Sequence, residues 1–232
     1  MVNNWSKYIQ PESKHSNCLL CQGASSRPGL CPQCYDDLPW IQEDEVCQRC
    51  SVPLPEGTMC GQCLKSPPHY ESCLAGFYYV DPIQWMVKRL KFHGDLIHAR
   101  ELAQLMVKIL PLREKYCRPD VLLPVPLHGS RLKERGYNQA YEIARIISAR
   151  LNIPVDYQSA IRHRATVEQS SLPAKMRRKN MSNAFEIQRD FSTKHVVILD
   201  DVMTTGTTVN EFAKQLKMAN AKRVDVWVCA RS

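Results

Sequence analysis

From residue 74 onward, short apolar runs alternate with segments in which apolar residues recur every three or four positions. The runs predict strands over residues 74–80, 121–126, 196–200 and 223–229, since a strand covered on both faces reads as continuous hydrophobic sequence. Residues 83–110 predict one long helix or two shorter ones, interrupted near Phe92-His93-Gly94-Asp95, where Gly and Asp weaken helix. Residues 138–151, with Ala140, Ile143, Ala144 and Ile147 on one face, and residues 207–220 predict two further helices. Residues 162–178 are basic, polar and aperiodic, which predicts a long loop. The class expected is α/β: a mostly parallel sheet with helices on both faces. In such sheets ligands sit beyond the carboxyl ends of the strands.

Upstream of residue 66 the texture is different. Residues from about 15 to 65 are rich in Cys, Pro, Gly and Gln and carry no helical period, which predicts turns and short strands. The expected organisation is a small module over 1–65, a linker over 66–73 and the α/β domain over 74–232.

Composition narrows the class further. The 232 residues are 44% hydrophobic and 23% charged, which excludes collagenous, fibrous and disordered chains. No apolar run approaches the about 18 residues a membrane helix needs, and the N-terminal stretch lacks the basic-then-apolar pattern of an export signal. A cytoplasmic protein without membrane insertion is therefore expected. The net charge of +8 is uneven: residues 1–75 carry five Lys/Arg against eight Asp/Glu, leaving +11 for residues 76–232. The C-terminal part is the one suited to a polyanion or a phosphorylated ligand.

The cysteines form a repeat. Cys18, Cys21, Cys31 and Cys34 recur 29 residues later as Cys47, Cys50, Cys60 and Cys63. Paired CxxC turns present thiolates to a tetrahedral ion, and two such turns close a four-cysteine site. Two structural Zn²⁺ ions are expected. The repeat favours sequential sites, with an interleaved pairing as the alternative. All-cysteine sites leave no position for water, so no chemistry is assigned to the metal. Cys73, Cys117 and Cys229 have no partner at ligand spacing and read as buried apolar fillers.

The sharpest motif runs from His195 to Thr208, HVVILDDVMTTGTT. A hydrophobic strand ends in Asp200 and Asp201, which can accept hydrogen bonds from a ribose diol. Thr204, Thr205, Gly206, Thr207 and Thr208 then open a helix. Gly206 permits close backbone approach, and the amides and hydroxyls form an anion cradle at a helix N-terminus. The plainer reading is a threonine N-cap beside solvated acids. A P-loop would need Gly-Lys-Ser/Thr, which is absent here.

This stretch resembles the phosphoribosyl pyrophosphate signature of type I phosphoribosyltransferases. By that resemblance Asp200 and Asp201 hold the ribose hydroxyls, Thr204–Thr208 the 5′-phosphate, and Mg²⁺ accompanies the pyrophosphate. Two further segments, Leu123 to Ala140 (LPVPLHGSRLKERGYNQA) and Arg162 to Leu172 (RHRATVEQSSL), resemble the ComF / GntX-like competence (DNA-utilisation) protein family, as does Lys88 to Asp95 (KRLKFHGD). That family also carries a CxxC-rich N-terminal module. Arg131 and Arg135 follow a strand end where a pyrophosphate would lie, and guanidinium groups suit phosphate oxygens. With the two acids they are the candidate catalytic residues. Arg162, Arg164, Lys175, Arg177 and Arg178 are candidate lid or DNA contacts, with a merely solvated basic surface as the alternative.

The function expected is that of a cytoplasmic accessory protein of DNA uptake or utilisation. It would bind phosphoribosyl pyrophosphate or a related phosphorylated ribose, single-stranded DNA, and a competence helicase or DNA-processing protein. The alternative is an active phosphoribosyltransferase acting on a base or amine, and a third reading is a ligand-sensing scaffold that meets its partner through the zinc module.

Overall fold

The computed structural model describes residues 16–26, 28–110, 118–163 and 183–232. It divides into two compact units, residues 1–38 and 39–232. The first holds an antiparallel pair, β1 (Ser16–Asn17) and β2 (Ala24–Ser25), and the short helix α1 (Pro32–Asp36). The second opens with another short helix, α2 (Gly61–Lys65). Each of these helices is capped by a cysteine sulfur: Cys31 accepts from the Cys34 amide and Cys60 from the Cys63 amide. The sequence predicts only turns and short strands here, because a five-residue helix is too short to show a period.

The sheet consists of β3 (Ser72–Tyr78), β4 (Val121–Pro124), β7 (His195–Met203) and β8 (Arg223–Arg231). All four strands are parallel, in the order β3-β8-β7-β4. Register aligns Tyr78 with Arg231 and Asp200 with Val228, so the acid pair stands at the carboxyl edge of a central strand. Beyond β3, Trp40 forms an antiparallel bridge to Phe77.

Helices α3 (Ile83–His93) and α4 (Leu96–Ile109) replace the single long helix that residues 83–110 also allowed. Helix α6 (Gln139–Leu151) begins where Asn138 Oδ1 accepts the Ala140 and Tyr141 amides. On one face of the sheet, Val209, Phe212, Ala213 and Leu216 of α7 (Thr207–Met218) pack with Val196, Ile198, Val224, Val226 and Val228. Helix α4 lies on the other face and comes so close to β3 that a Cβ on Gly76 would meet Met106 Sδ at 2.8 Å. Helices on both faces of a parallel sheet are what the apolar runs imply.

Two elements have no counterpart in the expectation. Helix α5 (Gly129–Arg135) buries none of its residues, so it leaves no apolar periodicity to read. The hairpin of β5 (Ala160–Arg162) and β6 (Phe185–Ile187) is antiparallel and three residues to a strand. The expected long loop begins at β5; Arg164, Lys175, Arg177 and Arg178 lie outside the described residues, as does Cys117.

Candidate ligand site and metal centres

The eight repeated cysteines form two sequential groups, Cys18-Cys21-Cys31-Cys34 and Cys47-Cys50-Cys60-Cys63, with the four sulfurs of each within 4.8 Å of one another. Cys21 and Cys31 Sγ are 3.9 Å apart, and Cys50 and Cys60 Sγ 3.7 Å. A tetrahedral Zn²⁺ bonded at about 2.3 Å places its sulfurs about 3.8 Å apart, so the donor sets fit zinc. Backbone amides point at the sulfurs at matching repeat positions: Cys31 N to Cys18 Sγ at 3.4 Å, and Cys60 N to Cys47 Sγ at 3.3 Å. Burial opposes ionisation of Cys18, but the amides of Cys31, Cys21 and Leu20 outweigh it and bring the thiol down to about 6. Cys47 falls to about 7 by the same balance. Cys73 and Cys229 are buried among the core residues, as fillers would be, and burial pushes the Cys73 thiol up to about 12.

Strand β7 runs through the acid pair to Met203, and the chain then turns through Thr204–Gly206 into α7. Gly206 takes φ +73°, a left-handed conformation that costs a side-chain-bearing residue energy. The N-cap residue of α7, Gly206, has no side chain to cap it; Thr205 Oγ1 accepts the Thr207 amide at 3.5 Å, so the loop and the first turn of the helix meet at one edge. Thr205 and Thr207 hydroxyls lie 2.9 Å apart on the same turn. The turn borders a cavity of about 440 Å³ whose other walls include Tyr70, Asn210, Lys214, Arg231 and Cys50.

The two acids are not equivalent. Asp201 is 2% exposed; its Oδ1 accepts the Val202 amide at 2.9 Å, and its Oδ2 lies 2.8 Å from Lys91 Nζ. Burial works against the Lys91 charge, but Asp201 reverses this and holds its pKa above the ordinary lysine value. Asp200 is partly exposed and accepts the Asp201 amide at 2.9 Å. Burial and the adjacent Asp201 push its carboxyl up to about 8.

Lys91 also lines a second cavity, of about 370 Å³, with Phe92, Arg131, Glu134, Arg135 and Tyr137. Arg135 donates from Nη1 to Gln139 Oε1 at 2.7 Å and lies 5.8 Å over the Phe92 ring. Asn138 Nδ2 donates to Val125 O at 3.0 Å, fixing the start of α6 against the end of β4. Arg162, at the end of β5, lies over the Phe185 ring; burial and Arg131 lower its pKa, while the Asp200 charge raises it. Arg131 and Arg135 thus share a cavity with Lys91, the partner of Asp201, and Arg162 feels the Asp200 charge, with Thr204–Thr208 continuing directly from the acid pair.

Three residues of this site carry no role that the sequence assigns. Lys91 lies within the KRLKFHGD segment, but nothing in the chain ties it to Asp201. Tyr70 is 3% exposed, with its hydroxyl 3.6 Å from where a Gly206 Cβ would stand. Arg231 is 7% exposed; its Nε donates to Cys50 O at 3.0 Å, and its Nη1 to Met203 O at 3.1 Å and to Thr204 and Ser232 carbonyls. A lone arginine at a strand end gives no sequence signal.

Comparison with known proteins agrees with this architecture. Residues 137–231 match the phosphoribosyl transferase domain, and residues 10–64 the double zinc ribbon domain. The chain is 32% identical over 224 residues to competence protein F of Haemophilus influenzae, covering 93% of this chain and 96% of that one. It is 33% identical over 221 residues to the DNA utilization protein YhgH of Salmonella typhimurium, with the same coverage. Among solved structures, glutamine phosphoribosylpyrophosphate amidotransferase from B. subtilis superposes with a TM-score of 0.38 at 20% identity, over 56% of this chain and 25% of that one.

Proposed function

The chain belongs to the family of competence protein F and the DNA utilization proteins, and from that membership and the geometry above we propose that it is a cytoplasmic accessory of DNA uptake or utilisation. Its α/β domain binds phosphoribosyl pyrophosphate or a related phosphorylated ribose, and its basic surface binds single-stranded DNA. The observation that carries the ligand reading is the Thr204–Gly206 turn, with Gly206 left-handed, leading into the N-terminus of α7 a few residues after a partly exposed carboxylate. Amides, hydroxyls and helix dipole attract the 5′-anion, and Asp200 faces the sugar. Asp201, already bonded by Lys91, sets the position of that lysine. The hard oxygens of Asp200 fit a divalent cation such as Mg²⁺ carried by the pyrophosphate; such an ion would neutralise ligand charge. The +11 of residues 76–232 supports the polymer reading.

No helix among the described residues is long and apolar enough to cross a membrane. The two zinc sites fold the ribbons, and the acidic N-terminal part suits a basic helicase or DNA-processing partner.

Calorimetric titration with phosphoribosyl pyrophosphate and Mg²⁺, followed by single-stranded DNA in competition, tests the reading. Expected are saturable ligand binding and DNA affinity that falls steeply with salt. Silence toward both at low salt rejects it. A second reading, active phosphoribosyl transfer, is favoured by one observation: the cationic cavity of Lys91, Arg131 and Arg135 adjoins the acid pair, where a pyrophosphate would leave. Pyrophosphate release across purines, pyrimidines and amines decides between the two.

A further inference from the structure

The second cysteine group belongs to the same compact unit as the α/β sheet, whereas the first lies within residues 1–38. Three ties join the second group to the strands. Cys50 O, in the knuckle that carries Cys47 and Cys50, accepts from Arg231 Nε at 3.0 Å. Ser51, 3% exposed, donates from its hydroxyl to Cys73 O on β3 at 2.8 Å. Cys50, Cys60 and Cys63 form one wall of a cavity that Thr205, Gly206 and Thr207 also wall.

Arg231 connects the two walls. Its guanidinium is planar, with five donors in a fixed fork. Through that fork it bonds the knuckle at Cys50 O and the turn at Met203 O and Thr204 O. These two carbonyls immediately precede the amides of Thr205–Thr208. An arginine this covered by protein needs compensation for its charge. Four thiolates on one Zn²⁺ would leave a net −2, and Cys50, Cys60 and Cys63 line the same cavity as Arg231.

We infer that the second zinc site holds the phosphate turn in its binding geometry through Arg231, which acts as a positioning residue. The metal fixes the knuckle, the knuckle fixes Cys50 O, and Arg231 carries that position to Met203 and Thr204. Loss of the second ion releases the turn; loss of the first does not. The inference rests on the proposed role of the turn in ligand binding, but its direct readout needs no ligand.

The test is backbone hydrogen exchange over residues 203–208 in the full chain, with zinc content measured in parallel. Arg231→Gln is expected to keep both ions yet raise exchange in that segment about tenfold. Cys47→Ser with Cys50→Ser should lose one ion and raise exchange to the same degree. Cys18→Ser with Cys21→Ser should lose one ion and leave the segment protected. Unchanged exchange in Arg231→Gln, or equal effects from the two cysteine pairs, overturns the inference. Should Arg231→Gln also lose protection across β8, Arg231→Lys, which keeps the charge but not the fork, becomes the deciding variant. Wild-type exchange over 203–208 in that variant overturns the inference, and loosening confined to the turn supports it. Absence of phosphoribosyl pyrophosphate binding by the wild type would reject the ligand reading while leaving this exchange result standing.

Discussion

Lys91 Nζ lies 2.8 Å from Asp201 Oδ2, joining helix α3 to the carboxyl end of β7 with the carboxylate almost out of solvent. A pair of this kind contributes through complementarity: removing one partner strands a buried charge, while removing both can be nearly neutral. Lys91→Met is therefore expected to cost about 3 kcal/mol. The double variant Lys91→Met, Asp201→Leu should recover at least half of that loss. Urea unfolding of the four members of the cycle measures the coupling. Additive losses would show that the two charges do not depend on each other.

Asp200 gives a prediction of opposite sign. Burial and the neighbouring Asp201 carboxylate raise its pKa to about 8, above the about 3.9 of an unfolded chain. Stability from the neutral form is thus fully present below about pH 4 and is lost as the pH rises through about 8. Asp200→Asn keeps the shape without the ionisation. It should be more stable than the parent by about 2 kcal/mol at pH 8, with the gap closing toward pH 4. The same variant should lose phosphoribosyl pyrophosphate binding while its zinc content stays unchanged. Thermal melts at the two pH values and calorimetry give the answer; a variant less stable than wild type at pH 8 would refute the strain assigned to this carboxyl.

At the other end of the sheet, Asp225 is 1% exposed and accepts from Ser72 Oγ, His195 Nε2 and Arg223 Nε, each at 2.8 Å. Burial alone would raise its pKa, but these three donors outweigh it and hold the carboxyl below its ordinary value. A depressed carboxylate stabilises the fold above the unfolded value and loses that contribution as the pH falls through the folded one. Asp225→Asn should cost about 3 kcal/mol at pH 7 and flatten the acid limb of the stability curve below about pH 4. Denaturant midpoints across that range test it, and an acid limb as steep as the parent's would contradict it.

The difference between these sites and the strands explains what the chain discloses by itself. The strands of the sheet are apolar on both faces, so β4, β7 and β8 announce themselves locally as runs of Val, Ile and Leu. The cysteine groups and the turn after Asp201 are also local, since spacing alone brings Cys18 to Cys21 or Asp201 to Gly206. Lys91 and Arg231 meet the site only through tertiary packing, from α3 and from the end of β8. Periodicity cannot show that one acid of an adjacent pair is already bonded. Helix α5, with no buried residue, and the three-residue strands β5 and β6 lie below the length at which a pattern exists.

Gly206 separates fold from ligand binding most directly. Its φ of +73° is the obstacle to substitution; the space is adequate, since an added Cβ would lie 3.4 Å from Met203 Sδ and 3.6 Å from the Tyr70 hydroxyl. Gly206→Ala should cost about 1 kcal/mol, the penalty of a left-handed residue bearing a Cβ. Asparagine tolerates that conformation better, so Gly206→Asn should melt close to wild type. Its amide would nonetheless stand in the cavity beside the first amides of α7, where a 5′-phosphate needs open backbone. Affinity for phosphoribosyl pyrophosphate should fall about tenfold or more, the loss of at least one charged hydrogen bond, in a protein that remains folded. Calorimetry and a thermal melt on the same sample separate the two effects. Undiminished affinity in Gly206→Asn would place the anion somewhere other than this turn.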